Sequence, residues 1–248
     1  MNDDDLLRYS RQILLPGFDV EGQERLLAAK VLIVGVGGLG SPVALYLAAA
    51  GVGEIWLADH DDVDLSNLQR QIAHQHADIG RPKVASAADK LRALNPAIRV
   101  DTIQERLQGQ LLDDACSHVD AVVDCSDNFK TRFALNAACW QHKKPLISGA
   151  AIRAEGQLLV IDPRRDDSPC YRCLYDDNVA DLQLSCSENG VLSPIVGVIG
   201  TLQTLETVKL LANYGEPAVG KLLVLDGSAL EWRTLRLNKA ADCPICGG

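Results

Sequence analysis

Three groups of residues in this chain have the types and spacing to do chemistry. The first is Gly35-Val36-Gly37-Gly38-Leu39-Gly40. Gly-x-Gly-x-x-Gly between a strand and a helix lets the backbone approach phosphate oxygens and aims the helix's unpaired N–H groups and dipole at them. Outside that setting it reads only as a tight turn. Asp59 follows at the end of the next strand, where a carboxylate commonly meets ribose hydroxyls, and those two features alone suit an NAD-dependent oxidoreductase. The segment Asp61-Asp62-Val63-Asp64-Leu65-Ser66-Asn67-Leu68-Gln69-Arg70-Gln71 argues against that, with Lys83 close behind. Arg70 and Lys83 are cations able to meet a triphosphate, although a solvated polar loop would look the same without the glycines upstream.

The second group is Asp127-Asn128, just past a short apolar run. Ligands of open α/β sheets bind at strand ends, and a carboxylate beside an amide there could hold Mg²⁺ against phosphate oxygens. Either residue could instead cap the helix that follows. The third group is Cys170-Tyr171-Arg172-Cys173 and Cys243-Pro244-Ile245-Cys246, two Cys-x-x-Cys pairs that use four of the chain's eight cysteines. Two such knuckles can close a tetrahedral, structural zinc site. A redox dithiol is the alternative, but neither pair has a strand-to-helix setting. Cys116, Cys125 and Cys139 read as packed apolar residues. Cys186, in a polar segment, reads as a surface thiol or a nucleophile. None of the five histidines has a defensible metal-ligand spacing, and His74 and His76 read as loop residues.

These groups need elements to hold them. Lys30 to Val34 reads as a buried strand, Ser41-Pro42 as a capping hydroxyl and proline opening a helix that stops at Gly51, and Glu54 to Ala58 as the next strand, which makes a βαβ unit. Helices are expected over 83–93, 110–116 and 131–142, and strands over 97–103, 121–124 and 146–148. After Gly149 the texture changes: strands over 156–161, 221–225 and 232–237 flank one helix over 198–212. The fold class expected is α/β, a Rossmann-like parallel sheet continued by antiparallel strands with a structural zinc site. It would form a single domain over 1–248, with a nucleotide-binding half over about 1–149 and a partner-binding and zinc half over about 150–248.

A chain of 248 residues can bury a substantial core. The net charge of −9 disfavours nonspecific nucleic-acid binding. No apolar run is expected to span a membrane, and the acidic start Met1-Asn2-Asp3-Asp4-Asp5 is the reverse of a signal peptide, so a cytoplasmic location is expected.

Taken together, Arg8-Tyr9-Ser10-Arg11-Gln12, the glycine loop, Ser66-Asn67-Leu68-Gln69-Arg70-Gln71, Pro82-Lys83, Asp124-Cys125-Ser126-Asp127-Asn128, Ser148-Gly149-Ala150-Ala151-Ile152-Arg153, Gly197-Val198-Ile199-Gly200 and both knuckles resemble the MoeB/ThiF/HesA family of ubiquitin-activating-like adenylyltransferases. The resemblance covers nearly the whole chain. It implies ATP-dependent adenylation of the C-terminal glycine of a small ubiquitin-like sulfur carrier ending in Gly-Gly. By resemblance, Asp59 would hold the ribose, and Gly38 with Asn67 would line the phosphate site, within a nucleotide-binding set that includes Ser66, Leu68, Gln69 and Asn128. Arg70 and Lys83 would neutralise phosphates, Asp127 would bind Mg²⁺, and Arg11 would reach the triphosphate of the other subunit of a homodimer. Cys170, Cys173, Cys243 and Cys246 would bind Zn²⁺, and Cys186 would stand as a candidate nucleophile. A sulfurtransferase or cysteine desulfurase is the further partner implied. The opening octet is similar to thiamine-pathway members and Ser148 to Gln157 to molybdopterin-pathway members, with the molybdopterin carrier favoured and the thiamine carrier the alternative.

Overall fold

In a computed structural model, which describes residues 1–175 and 190–247, eight strands form one sheet. They are β1 (Lys30–Val34), β2 (Glu54–Ala58), β3 (Arg99–Ile103), β4 (Ala121–Asp124), β5 (Leu146–Ile152), β6 (Glu155–Ile161), β7 (Lys221–Asp226) and β8 (Glu231–Arg236). Their order is β3-β2-β1-β4-β5-β6-β7-β8. Pairing is parallel from β3 to β5 and antiparallel from β5 to β8. The expected mixed α/β sheet is what the chain forms.

Alternation along the strands sends successive side chains to opposite faces. Val31, Ile33, Ile55, Leu57, Val123 and Ile147 pack on one face and Leu32, Val34, Ala58, Val122 and Leu146 on the other. The first face is covered by α3 (Asp19–Ala28), α4 (Gly40–Ala50), α5 (Lys83–Leu94) and α9 (Ser193–Ala212), the second by α6 (Gly109–Ser117) and α7 (Phe129–Gln141). Two short helices, α1 (Asp3–Arg8) and α2 (Ser10–Ile13), open the chain, and α8 (Tyr171–Leu174) starts between the two cysteines of the first pair and runs through the second of them.

Several expectations needed correction. Ser41 is not a cap: α4 starts at Gly40 after Leu39, with no side-chain cap, and the buried Ser41 hydroxyl has no partner among the described residues. The last helix begins at Ser193 rather than Val198, because Pro194 sits in its first turn, where a missing N–H costs nothing. That helix has 20 residues and is apolar enough, by length and composition, to span a membrane. Here its Gln203, Thr204, Glu206 and Thr207 are buried and it packs against β5 and α4, so it is a core helix of this fold.

Candidate active site

Register decides where the chemistry gathers. Val34 pairs with Ala58 on one side and Asp124 on the other, and Asp124 pairs with Ser148. These four residues form one row, so the chain leaves β1, β2 and β4 at the same edge, into the glycine loop, Asp59 and Cys125-Ser126-Asp127-Asn128. A cavity of about 600 Å³ opens there, lined by Gly35, Gly37, Gly38, Asp59, Arg70, Lys83, Asp127 and Asn128 among others. The loop needs glycine at two positions for steric reasons. Gly35 has φ +91°, and a Cβ on it would lie 2.7 Å from the Cys125 carbonyl oxygen. A Cβ on Gly40 would collide with the Gly35 carbonyl oxygen. α4 therefore starts directly behind the loop and directs its unpaired N–H groups and positive dipole end towards the cavity.

The carboxylates are held in specific ways. Asp59 accepts from the Val36 N–H at 2.7 Å and the Asp61 N–H at 3.0 Å, so it braces the loop as well as lining the cavity. Asp61 pairs with Lys83 Nζ at 2.9 Å. Burial alone would raise the Asp61 carboxyl, but the hydrogen bond and attraction from Lys83 outweigh it and hold it below the usual range. Lys83 is the first residue of α5 and is itself buried. Asn128 caps α7, accepting from the Thr131 N–H at 2.9 Å. Asp127, beside it, is exposed on the cavity wall. The helix-capping role open to both residues thus falls to Asn128, and Asp127 offers its carboxylate to solvent.

The remaining expected residues lie elsewhere. Ser66, Asn67 and Leu68 belong to a 3-10 turn (Leu65–Asn67) and its end: Ser66 Oγ donates to Asp64 and Asn67 Oδ1 accepts from the Asp64 N–H. Gln69 is exposed. This turn delivers Arg70, whose Nη1 donates to the Ser66 carbonyl at 3.1 Å. Arg11 is exposed on α2 and is not part of the cavity wall of its own chain. Cys186 lies outside the described residues.

The two knuckles meet. The sulfurs of Cys170, Cys173, Cys243 and Cys246 all lie within 4.8 Å of one another, with Cys170–Cys243 at 3.5 Å and Cys173–Cys246 at 3.3 Å. Four sulfurs about 2.3 Å from one zinc would stand about 3.8 Å apart, so the cluster fits that ion. Burial would raise the Cys243 thiol, but N–H groups of Cys246 and Ile245 overcome it and bring it down to about 7. The Ala240 N–H approaches Cys173 Sγ at 3.4 Å. Cys116, Cys125 and Cys139 are buried, and burial pushes the Cys125 and Cys139 thiols well up, as expected for packed, unreactive residues.

A family model described as the ThiF family matches residues 9–245. The chain belongs to the ThiF family. It is 50% identical over 248 residues to the sulfur carrier protein ThiS adenylyltransferase of Escherichia coli, covering all of this chain and 98% of that one. It is 47% identical to the molybdopterin-synthase adenylyltransferase of Salmonella typhimurium, again over all of this chain and 98% of the relative. A crystal structure of Escherichia coli MccB with ATP superposes with a TM-score of 0.85 at 25% identity, over 97% of this chain and 73% of that one.

Two residues of this ThiF-family chain that hold backbone beside the cavity escaped sequence reasoning. His74 is buried, with Nε2 3.0 Å from the Val36 carbonyl and Nδ1 2.9 Å from Ser86 Oγ, so it ties the glycine loop to α5. Burial lowers its pKa, leaving a neutral ring that donates from Nε2. Arg132, on α7, lines the cavity and donates to backbone carbonyls at the ends of β4 and within β5. A lone histidine in a polar loop and an arginine on a helix carry no spacing signal, and only the tertiary contacts expose them.

Proposed function

We propose that this chain uses MgATP to adenylate the C-terminal glycine carboxylate of a small ubiquitin-like sulfur carrier ending in Gly-Gly. The observation that carries the reading is the convergence of the glycine loop, Arg70, Lys83 and Asp127 on one cavity at the parallel strand ends. The names borne by the 50% and 47% identical relatives support the same reaction. A carboxylate oxygen of the carrier attacks the α-phosphorus of ATP, the bond to the bridging oxygen breaks, and pyrophosphate leaves with that electron pair. The acceptor is already ionised, so no base is needed. The difficulty is bringing two anions together, and the residues answer it by position and charge.

Gly38 and its neighbours would line the phosphate site beside the N-terminus of α4, and Asp59, which lines the cavity and accepts from the Val36 N–H of the loop, would meet the ribose. Arg70 and Lys83 neutralise phosphate oxygens, while Ser66, Asn67, Leu68 and Gln69 form the turn that presents Arg70, and Asn128 holds the start of α7 beside Asp127. Asp127 would hold Mg²⁺, which supplies charge neutralisation between phosphate oxygens. Arg11, exposed and outside its own cavity wall, is assigned to the triphosphate bound by the other subunit of a homodimer. Cys170, Cys173, Cys243 and Cys246 would hold a structural Zn²⁺. Cys186 remains the candidate nucleophile towards the activated carrier, and a sulfurtransferase or cysteine desulfurase would supply the sulfur. The nucleotide half over 1–149 and the carrier and zinc half over 150–248 would work as one cytoplasmic domain.

The test is ATP–pyrophosphate exchange with the molybdopterin-pathway and thiamine-pathway carriers in separate arms, with the acyl-adenylate read by mass spectrometry. Exchange dependent on a Gly-Gly carrier and abolished in Asp127→Ala is expected. Wild-type exchange in that variant would remove Asp127 from the mechanism, and calorimetric binding of NAD without binding of ATP would overturn the reading.

A further inference from the structure

The cysteine cluster and the nucleotide cavity are joined by one side-chain relay. Tyr171 follows Cys170 directly and lies inside the first knuckle, so the placement of Cys170 and Cys173 governs its own. It is buried, its ring meets Phe133 and Tyr175 at centroid distances of 5.5 and 5.0 Å, and its N–H donates to Asn136 Oδ1 at 2.8 Å. Arg132 lies one turn before Asn136 on α7, so both residues face the knuckle. Arg132 Nη1 donates to the Tyr171 hydroxyl oxygen at 3.3 Å. Its Nη2 donates to the carbonyl of Ser126 at 2.9 Å and that of Gly149 at 3.2 Å.

Those two carbonyls are not incidental. Ser126 is the residue before Asp127, and its own N–H and hydroxyl are tied to the buried Asp124 at 3.0 and 2.6 Å. Asp124 in turn accepts from Ser148 Oγ at 2.7 Å, across the β4–β5 pair. One guanidinium therefore clamps the backbone that carries Asp127 to the middle of β5, and the hydroxyl of a knuckle residue fixes the other arm of the same planar fork. Arg132 also lines the cavity, and its Nε is buried without a partner among the described residues. Among the described residues the guanidinium's hydrogen bonds therefore come from its two terminal nitrogens, and its Cζ also lies 5.9 Å from the centroid of the Phe129 ring.

We infer that Arg132 is a positioning residue that transmits the order of the cysteine cluster, through the Tyr171 hydroxyl, to the backbone bearing Asp127. Metal binding at the knuckles then sets how well the cavity holds a divalent cation, besides holding the fold together. The cation part of this rests on the adenylation reading, whereas the backbone coupling does not.

Tyr171→Phe tests it, because it keeps the ring and its edge contacts and removes only the acceptor. The variant should keep wild-type zinc content and exchange the amides of residues 125–128 several-fold faster with solvent deuterium. It should also raise the Mg²⁺ concentration needed for half-maximal ATP binding about threefold, the effect of losing one ordinary hydrogen bond. ATP binding without Mg²⁺ should not change. Arg132→Gln should raise the Mg²⁺ requirement about tenfold, since bonds from a charged donor to two carbonyls are also weakened, and Arg132→Lys should recover part of that loss. Chelating the metal from the wild type should speed the same amides and add little further in Tyr171→Phe. Unchanged exchange at 125–128 in zinc-loaded Tyr171→Phe would overturn the inference. A wild type that binds no ATP would sink the adenylation reading and leave the exchange result to decide this one.

Discussion

Replacing Lys83 by methionine keeps a long apolar stem in the same space and removes the ammonium. In the folded chain that ammonium is buried, with a side chain 8% exposed, and its partner Asp61 is half in solvent at 53%. The two ends of the pair therefore respond differently. Losing the partner of a half-exposed carboxylate costs about 1 kcal/mol or less, as for surface ion pairs. For a chain of this size that is a fall in Tm of at most about 4 °C. On the cavity side, a unit charge about 4 Å from a phosphate oxygen is worth about 4 kcal/mol at an effective dielectric constant of about 20. Sharing the ammonium with Asp61 reduces this, and about 3 kcal/mol of transition-state stabilisation remains as the working figure, close to the upper range for hydrogen bonds to charged groups. Each 1.36 kcal/mol is about tenfold in rate, so kcat/KM for ATP in carrier-dependent pyrophosphate exchange should fall about a hundredfold. The assay pairs that exchange rate with a thermal melt. A variant within threefold of wild type would refute the placement of Lys83 against the phosphates. A Tm lowered by 10 °C or more would mean that the ion pair mainly holds the fold.

Two further outcomes follow from the same geometry. The folded pKa of His74 lies below its ordinary value of 6.5 because the ring is buried. The unfolded chain therefore takes up the proton first, so this contribution to stability is complete above about pH 6.5 and is lost as pH falls below it. His74→Gln should flatten the acid side of a Tm-against-pH profile just below pH 6.5, and an unchanged slope would show that the ring is not neutral in the fold. Purified protein should carry about one zinc per chain, and Cys173→Ser should lower both zinc content and Tm, with metal-free protein that stays folded and active as the refuting result.

Much of the fold was legible because its signals are local. The run Lys30 to Val34 followed by glycines marks β1 and its turn, and Gly51, with φ +87°, stops α4 as a left-handed C-cap. The helices expected over 83–93, 110–116 and 131–142 lie within two residues of Lys83–Leu94, Gly109–Ser117 and Phe129–Gln141. Other features had no local signal. β5 continues from Ser148 to Ile152 through Gly149, Ala150 and Ala151, small residues without strand periodicity, because β6 pairs with them. The hydroxyl of Ser41 looks like a cap in sequence, but the backbone enters α4 one residue earlier, at the glycine that the Gly35 carbonyl demands.

The sequence by itself determined the chemistry on offer: a glycine loop of a kind that suits phosphate, a cation at position 70 and another at 83, an acid at 127, and four thiols in two pairs. Residue type and short spacing suffice for that, since each property belongs to one side chain or one turn. Only the tertiary structure decided which of these act together. The parallel register that aligns Val34, Ala58, Asp124 and Ser148 brings the first three groups to one edge, and the return of the C-terminus closes the thiols around a single point. It also placed His74 beneath the glycine loop and Arg132 between the thiols and Asp127. Those roles come from contacts between residues separated by dozens of positions, which no window along the chain contains.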